Sequence, residues 1–218
     1  AIGAASDTAL MTRRTEASVE GGSGKNTANA GDFQVEAYAA QGIAHAAAGA
    51  AVSGMGGAAG TVLVDKLQSE TAAAVRDMNV NYTDHAAVTA AHADHVYAGQ
   101  GTIAAGQVGV GLTVNVVSQD SAVSTDVENS SFTLIREVPA EGSPEAPAEG
   151  SAEANTGDSS TDTGVVDIRA ENTSHLENVI ASAGAGVYTG VSGATAVNNM
   201  KQTVSTTVSD STIVADSV

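Results

Sequence analysis

The chain has 218 residues, with 8 Lys and Arg against 25 Asp and Glu, a formal charge of −17. That balance opposes binding to nucleic acid or to anionic lipid surfaces. No Cys, no Trp, two Phe and four Tyr exclude a disulfide framework, a thiol nucleophile and a core built on large aromatics. What the small residues suit is a narrow stack of short strands in which each coil buries a few Val, Ile and Ala and its neighbours bury the rest.

In chain order, the first pattern is "TEASV", with Thr15, Ala17 and Val19 at alternate positions. "GGSGKNT" (21 to 27) then resembles a phosphate-binding loop. Val19 stands where the first required Gly belongs and Asn26 follows Lys25, so a Gly/Ser turn is the reading. "DFQVEAYA" alternates through Phe33, Val35 and Ala37 and predicts a strand. The Ala content of 36 to 52 favours helix, but Gly42 and Gly49 each cost about 1 kcal/mol there, and strand and loop are retained. The uncharged run 42 to 64 is Ala- and Gly-rich, with little Leu, Ile or Phe. It is not read as a membrane span.

"TAAAVRDMNV" (71 to 80) repeats the first pattern through Thr71, Ala73 and Val75, and "DHAAVTAA" opens the next unit through Val88 and Ala90. His85, His92 and His95 lie here with Asp84 and Asp94. His and carboxylate can hold zinc, but on a strand His92 and His95 point to opposite faces. A solvated loop is expected. From 108 the order V-G-V-G-L-T-V-N-V places Val108, Val110, Leu112, Val114 and Val116 on one face and Gly109, Gly111, Thr113 and Asn115 on the other.

"VSTDVENSSF" (123 to 132) and "VSTTVSDSTI" (204 to 213) complete the series through Val123, Thr125, Val127 and Val204, Thr206, Val208. Upstream of the three full copies stand Gly57, Gly109 and Gly190, then Val64, Val116 and Val197. The copies begin at Thr71, Val123 and Val204, spaced by 52 and then 81 residues. The excess matches one segment, 137 to 164, which holds Pro139, Pro144 and Pro147 and seven acids without Lys or Arg. Such a segment is expected to be a disordered insertion. "VVDIRAEN" resumes the strand pattern through Val166, Ile168 and Ala170. The expected organisation is therefore solenoid repeats over 1–136, the insertion over 137–164, and one further repeat over 165–218 in the same domain.

Units that open with D-x-x-V-x-A, pass through "VGVGLTVNVV" or "GVSGATAVNN" and close with "VSTDVENSSFTL" or "VSTTVSDSTIVA" resemble the repeats of large bacterial filamentous adhesins, the haemagglutinin-type and leukotoxin-family exoproteins. The resemblance covers 32 to 136 and 165 to 218. It implies an all-β chain, a right-handed parallel β-solenoid, within a secreted, surface-attached fibre used for adhesion. It also implies a longer parent chain, and the sequence starts and stops inside units. The expected partners are axial neighbours of the same kind and a host, cell or matrix surface, with no nucleic acid and no membrane span. A 52-residue unit is expected to make about two coils and about 10 Å of length. The negative sides are expected to discourage lateral clumping.

No catalytic, cofactor-binding or metal residue is assigned. Asp65, Asp77, Asp120, Asp126 and Asp210 are read as turn positions, without the basic or aromatic partners of a polysaccharide-acting enzyme. "DSSTD" (158 to 162) offers oxygen ligands for calcium, but the nonapeptide of calcium-binding β-rolls is absent. A self-assembling filament subunit is the alternative to the adhesin, and an enzyme on the same fold ranks below both.

Overall fold

A computed structural model describes residues 1–136 and 164–218. The expected disordered insertion and the "DSSTD" segment lie outside the described residues, apart from Gly164. The described chain is all-β: β1 (Ile2–Glu20), β2 (Asn26–Val52), β3 (Gly56–Arg76), β4 (Met78–Glu128), β5 (Ser131–Leu134), β6 (Val165–Ser209) and β7 (Thr212–Val214). Every pairing between them is parallel. No helix of the described residues is long and apolar enough to cross a membrane.

The repeated motifs pair with one another in register. Thr15, Ala17 and Val19 lie beside Thr71, Ala73 and Val75, which lie beside Val123, Thr125 and Val127, and these beside Val204, Thr206 and Val208. Gly57 pairs with Gly109 and that with Gly190; Val64 pairs with Val116 and that with Val197. The Met78 amide donates to the Ser130 hydroxyl 52 residues on, and the Ser130 amide to the Ser211 hydroxyl 81 residues on. Paired residues lie 56 apart between β1 and β3, 52 or 53 apart between β2 or β3 and β4, and 80 or 81 apart between β4 and β6, so the 52 residues from Thr71 to Val123 contribute a single layer. Its rise is about 4.8 Å, half the length expected from two coils.

Each layer has two arms laid face to face. β2 turns at Ser53–Met55 into β3, and β4 supplies both arms of the next layer, running through its own tip near Gly106. Between the arms the interior alternates along the strands. One apolar cluster gathers Val75, Val80, Val88, Val127, Phe132 and Val166 near the corners, where Phe132 meets Phe33 edge-on at 6.0 Å. A second joins Ile43 and Val96 to Leu63, Leu67 and Val117. Near the tip only Ala51, Ala59 and Ala104 remain.

The tip is narrow, and this decides which face of the alternating strand is buried. A Cβ at Gly57 would stand 2.6 Å from the Ala105 carbonyl oxygen and 2.8 Å from that of Ala51, closer than real carbon contacts come. The equivalent Gly109 and Gly190 meet backbone in the same way. Glycine, alanine and threonine therefore point inward, and the aliphatic series points out: Leu112 is 53% exposed and Val110 43%, while Thr113 and Asn115 are fully buried.

The corners follow the same register. Asp77, Asn129 and Asp210 all adopt left-handed backbone (φ 54°, 48° and 49°), a conformation that Asn and Asp tolerate better than other residues with a side chain. Asn129 donates to Asp77 at 2.5 Å. β5 pairs with Asn79–Tyr82 of the layer before it, and the Ile135 and Gly164 amides donate to the Tyr82 and Asp84 carbonyls of that layer, 2.7 and 2.6 Å away. The chain thus leaves the layer of β5 after 136 and is back in it at 164 within two strand positions.

Candidate functional site

The most concentrated chemistry lies between the arms. Thr71 of β3 and His92, Asp94 and Gln119 of β4 are each at most 2% exposed. His92 Nδ1 is 3.2 Å from the Thr71 hydroxyl, and His92 Nε2 is 2.6 Å from Asp94 Oδ1. Gln119 Nε2 donates to Asp94 Oδ2 at 2.6 Å and to the Ser174 hydroxyl at 3.0 Å. With its proton on Nε2, His92 donates to the carboxylate and accepts from the threonine, so both ring nitrogens are satisfied, while Gln119 Oε1 has no partner among the described residues.

Hydroxyl, imidazole and carboxylate in this order are the parts of an activated nucleophile. Here they have no route to a substrate, because the hydroxyl itself is enclosed. What the set does is tie three layers and both arms together by charge-assisted and neutral hydrogen bonds in a low-dielectric space. A second pair joins the fully buried Asp65 to the half-buried His45, with Nδ1 2.9 Å from Oδ1 and Asp7 3.8 Å from the same nitrogen. Burial pushes the Asp65 carboxyl above its ordinary value, opposed by the attraction of His45.

The structure separates the histidines and acids singled out in the sequence. His92 and Asp94 are in the interior of a strand, which corrects the solvated loop expected for them. His95 lies on the outer surface, as strand parity requires, its ring 6.0 Å from His175. His175 is 2.9 Å from Glu177, and Tyr97 flanks the His175 ring at 6.4 Å. Among the described residues no group of three His, Asp or Glu side chains is gathered tightly enough to hold a metal ion. "GGSGKNT" forms the turn between β1 and β2, with Gly22 left-handed at φ 69°.

Of the five acids read as turn positions, Asp77 and Asp210 are at corners. Asp65 is fully buried in β3 instead. Asp120 and Asp126 lie in β4, Asp120 3.6 Å from Lys201 and Asp126 2.6 Å from Arg76; the latter contact raises the Arg76 guanidinium above its ordinary value. Strand parity carried the missed signal. Asp65 and Thr71 share the odd positions of Ala73 and Val75, the buried face of β3.

Two shallow grooves mark the outside. One of about 330 Å³ is floored by Ala44, Ala46 and Gly99 and bounded by Tyr97, Glu177 and Val179. The other, of about 400 Å³, is lined by Arg14, Gln68, Glu70 and Asp120. At the ends of the stack, β1 and β2 each pair along one edge, as does β6 along nearly all its length. Rows of backbone N–H and C=O groups are therefore without a strand partner among the described residues. No protein-family model, no curated protein and no solved structure matches this chain.

Proposed function

We propose that this chain is a non-catalytic structural length of a secreted or cell-surface filamentous adhesin, built as a right-handed parallel β-solenoid of about 52-residue repeats. One observation carries the reading: the motifs that resemble adhesin repeats lie beside one another in parallel register, layer on layer. An architecture in which each layer contacts only its neighbours resists bending through a continuous backbone ladder and extends by adding layers. Its sides then serve as contact surface for a host, cell or matrix partner. The enclosed hydroxyl, imidazole and carboxylate support a mechanical role for the polar residues in place of a chemical one.

The test is immunogold electron microscopy with antibodies against this chain on the cells that make it. Label along thin surface fibres is expected; label confined to the cell interior would overturn the reading. The unpaired edges of β1, β2 and β6 favour a second reading, a subunit that polymerises end to end, since such an edge is a template for another strand. The two differ in denaturing electrophoresis of the native fibre: the adhesin gives a chain much longer than 218 residues, and the polymer gives this chain alone.

A further inference from the structure

The arm formed by β1, β3 and the second halves of β4 and β6 turns an uncharged aliphatic field outward. Its exposed side chains include Ile2, Val62, Val110, Leu112, Val191 and Val197, and no charged residue occupies an outward position over 2–8, 58–64, 110–116 or 191–197. Four strands about 4.8 Å apart and seven residues long give this field about 450 Å². Towards the corners the same face continues as far as Glu16, Ala72, Ser124 and Ser205, and the charges that enter are balanced. Arg14, Lys66 and Lys201 stand against Glu16, Glu70 and Asp120, with Arg14 3.1 Å from Glu16 and Lys201 3.6 Å from Asp120. The opposite sheet carries Asp32, Glu36, Asp167, Glu171 and Glu177 outward against Arg169 alone.

We propose that this neutral face is where a second copy of the chain docks, the two copies packing sheet to sheet about a two-fold axis that runs along the strands. A partner of the same kind fits for two reasons. The neutral face measures about 900 Å² per copy, so a pair would cover about 1,800 Å², the area of a stable complex. Two chains of charge −17 repel through every acidic surface, and this is the surface where they meet without that repulsion. Leu112 lies near the centre of the apolar field, and the balanced rim lets cations of one copy face acids of the other. The acidic opposite sheet cannot pair in the same way, so association stops at two and broad lateral bundles do not form. The pairing is independent of the strand edges and adds a lateral contact to whatever happens along the axis.

The chain contains no cysteine, so single thiols report on this directly. Leu112→Cys and, on the acidic sheet, Thr173→Cys are oxidised with copper phenanthroline in the 218-residue chain. Pairing raises the local thiol concentration from micromolar towards millimolar, so Leu112→Cys is expected to form a disulfide-linked dimer at least about tenfold faster. In sedimentation velocity the wild type is expected at twice the mass of one chain and Leu112→Lys at the mass of one, with the same far-UV circular dichroism. End-to-end association does not bring two Leu112 positions together, so the cross-link reads the face alone. Equal cross-linking rates for the two positions, or a wild type that sediments as a single chain, would overturn the proposal.

Discussion

Replacing Gly57 by alanine asks whether the tip of each layer is as narrow as described. In an ordinary strand this exchange is favourable, because glycine costs about 0.5–1 kcal/mol relative to alanine in chain entropy. Here the new Cβ would stand 2.6 and 2.8 Å from the carbonyl oxygens of Ala105 and Ala51. Both are backbone atoms of paired strands, so relief requires the arms to part and not a side chain to rotate. Overpacking of this kind costs about 1–3 kcal/mol, which reverses the sign expected from propensity. Ala58→Val, one residue along and pointing outward, should change stability by no more than about 0.5 kcal/mol. Urea unfolding at neutral pH, followed by circular dichroism, measures both. A neutral or stabilising Gly57→Ala together with a strongly destabilising Ala58→Val would mean that the two faces of the strand have been assigned the wrong way round.

Asp94→Ala should destabilise by about 3–5 kcal/mol in the same assay, since it strands buried donors on His92 and Gln119; a loss under about 1 kcal/mol would show that water reaches the network. Asp65 has its carboxyl raised above the usual 3.8, first by desolvation, so the folded state holds its proton more tightly than the unfolded one. Its contribution is favourable below the unfolded value and is lost as pH rises through the folded one. Asp65→Asn should therefore gain stability relative to the wild type as pH rises above 3.8, with His45 and Asp7 the side chains that face it; a difference independent of pH would contradict this. Asn129→Ala should cost about 1–2 kcal/mol, for left-handed backbone without an Asx side chain, and Asn129→Gly much less. Excision of 138–162 should leave the melting temperature within about 4 °C, a shift of under 1 kcal/mol, because Ile135 and Gly164 are anchored to Tyr82 and Asp84; loss of cooperative melting would place the segment in the core.

Strand content and register were legible because the motifs are repeated. Thr71 pairs with Val123 and Val123 with Val204, so similarity in sequence became adjacency in space. Whether the aliphatic series from Val108 to Val116 points in or out was not legible. A period of two separates a strand's faces without saying which is enclosed, and here the close approach of backbone at Gly57, Gly109 and Gly190 overrides the usual preference for burying valine. Polar residues at inward positions hid the same fact at His92 and Asp94, whose surroundings depend on Thr71 from the layer below and Gln119 from the facing arm. Neither contact is local in sequence. The corners lay between, for the Asn and Asp closing each motif were recognisable as turn residues, but the left-handed column they form needs the register to be seen.

The layer-on-layer register is tested most directly by spin labels at Ala72, Ser124 and Ser205, outward positions that pair in sequence. Stacked layers place the three labels in one column about 4.8 Å apart, close enough for their orbitals to overlap. The triply labelled chain, diluted in unlabelled protein, should give an electron paramagnetic resonance spectrum strongly broadened by dipolar and exchange coupling among the three labels. Three sharp hyperfine lines, the spectrum of isolated labels, would contradict the parallel stack.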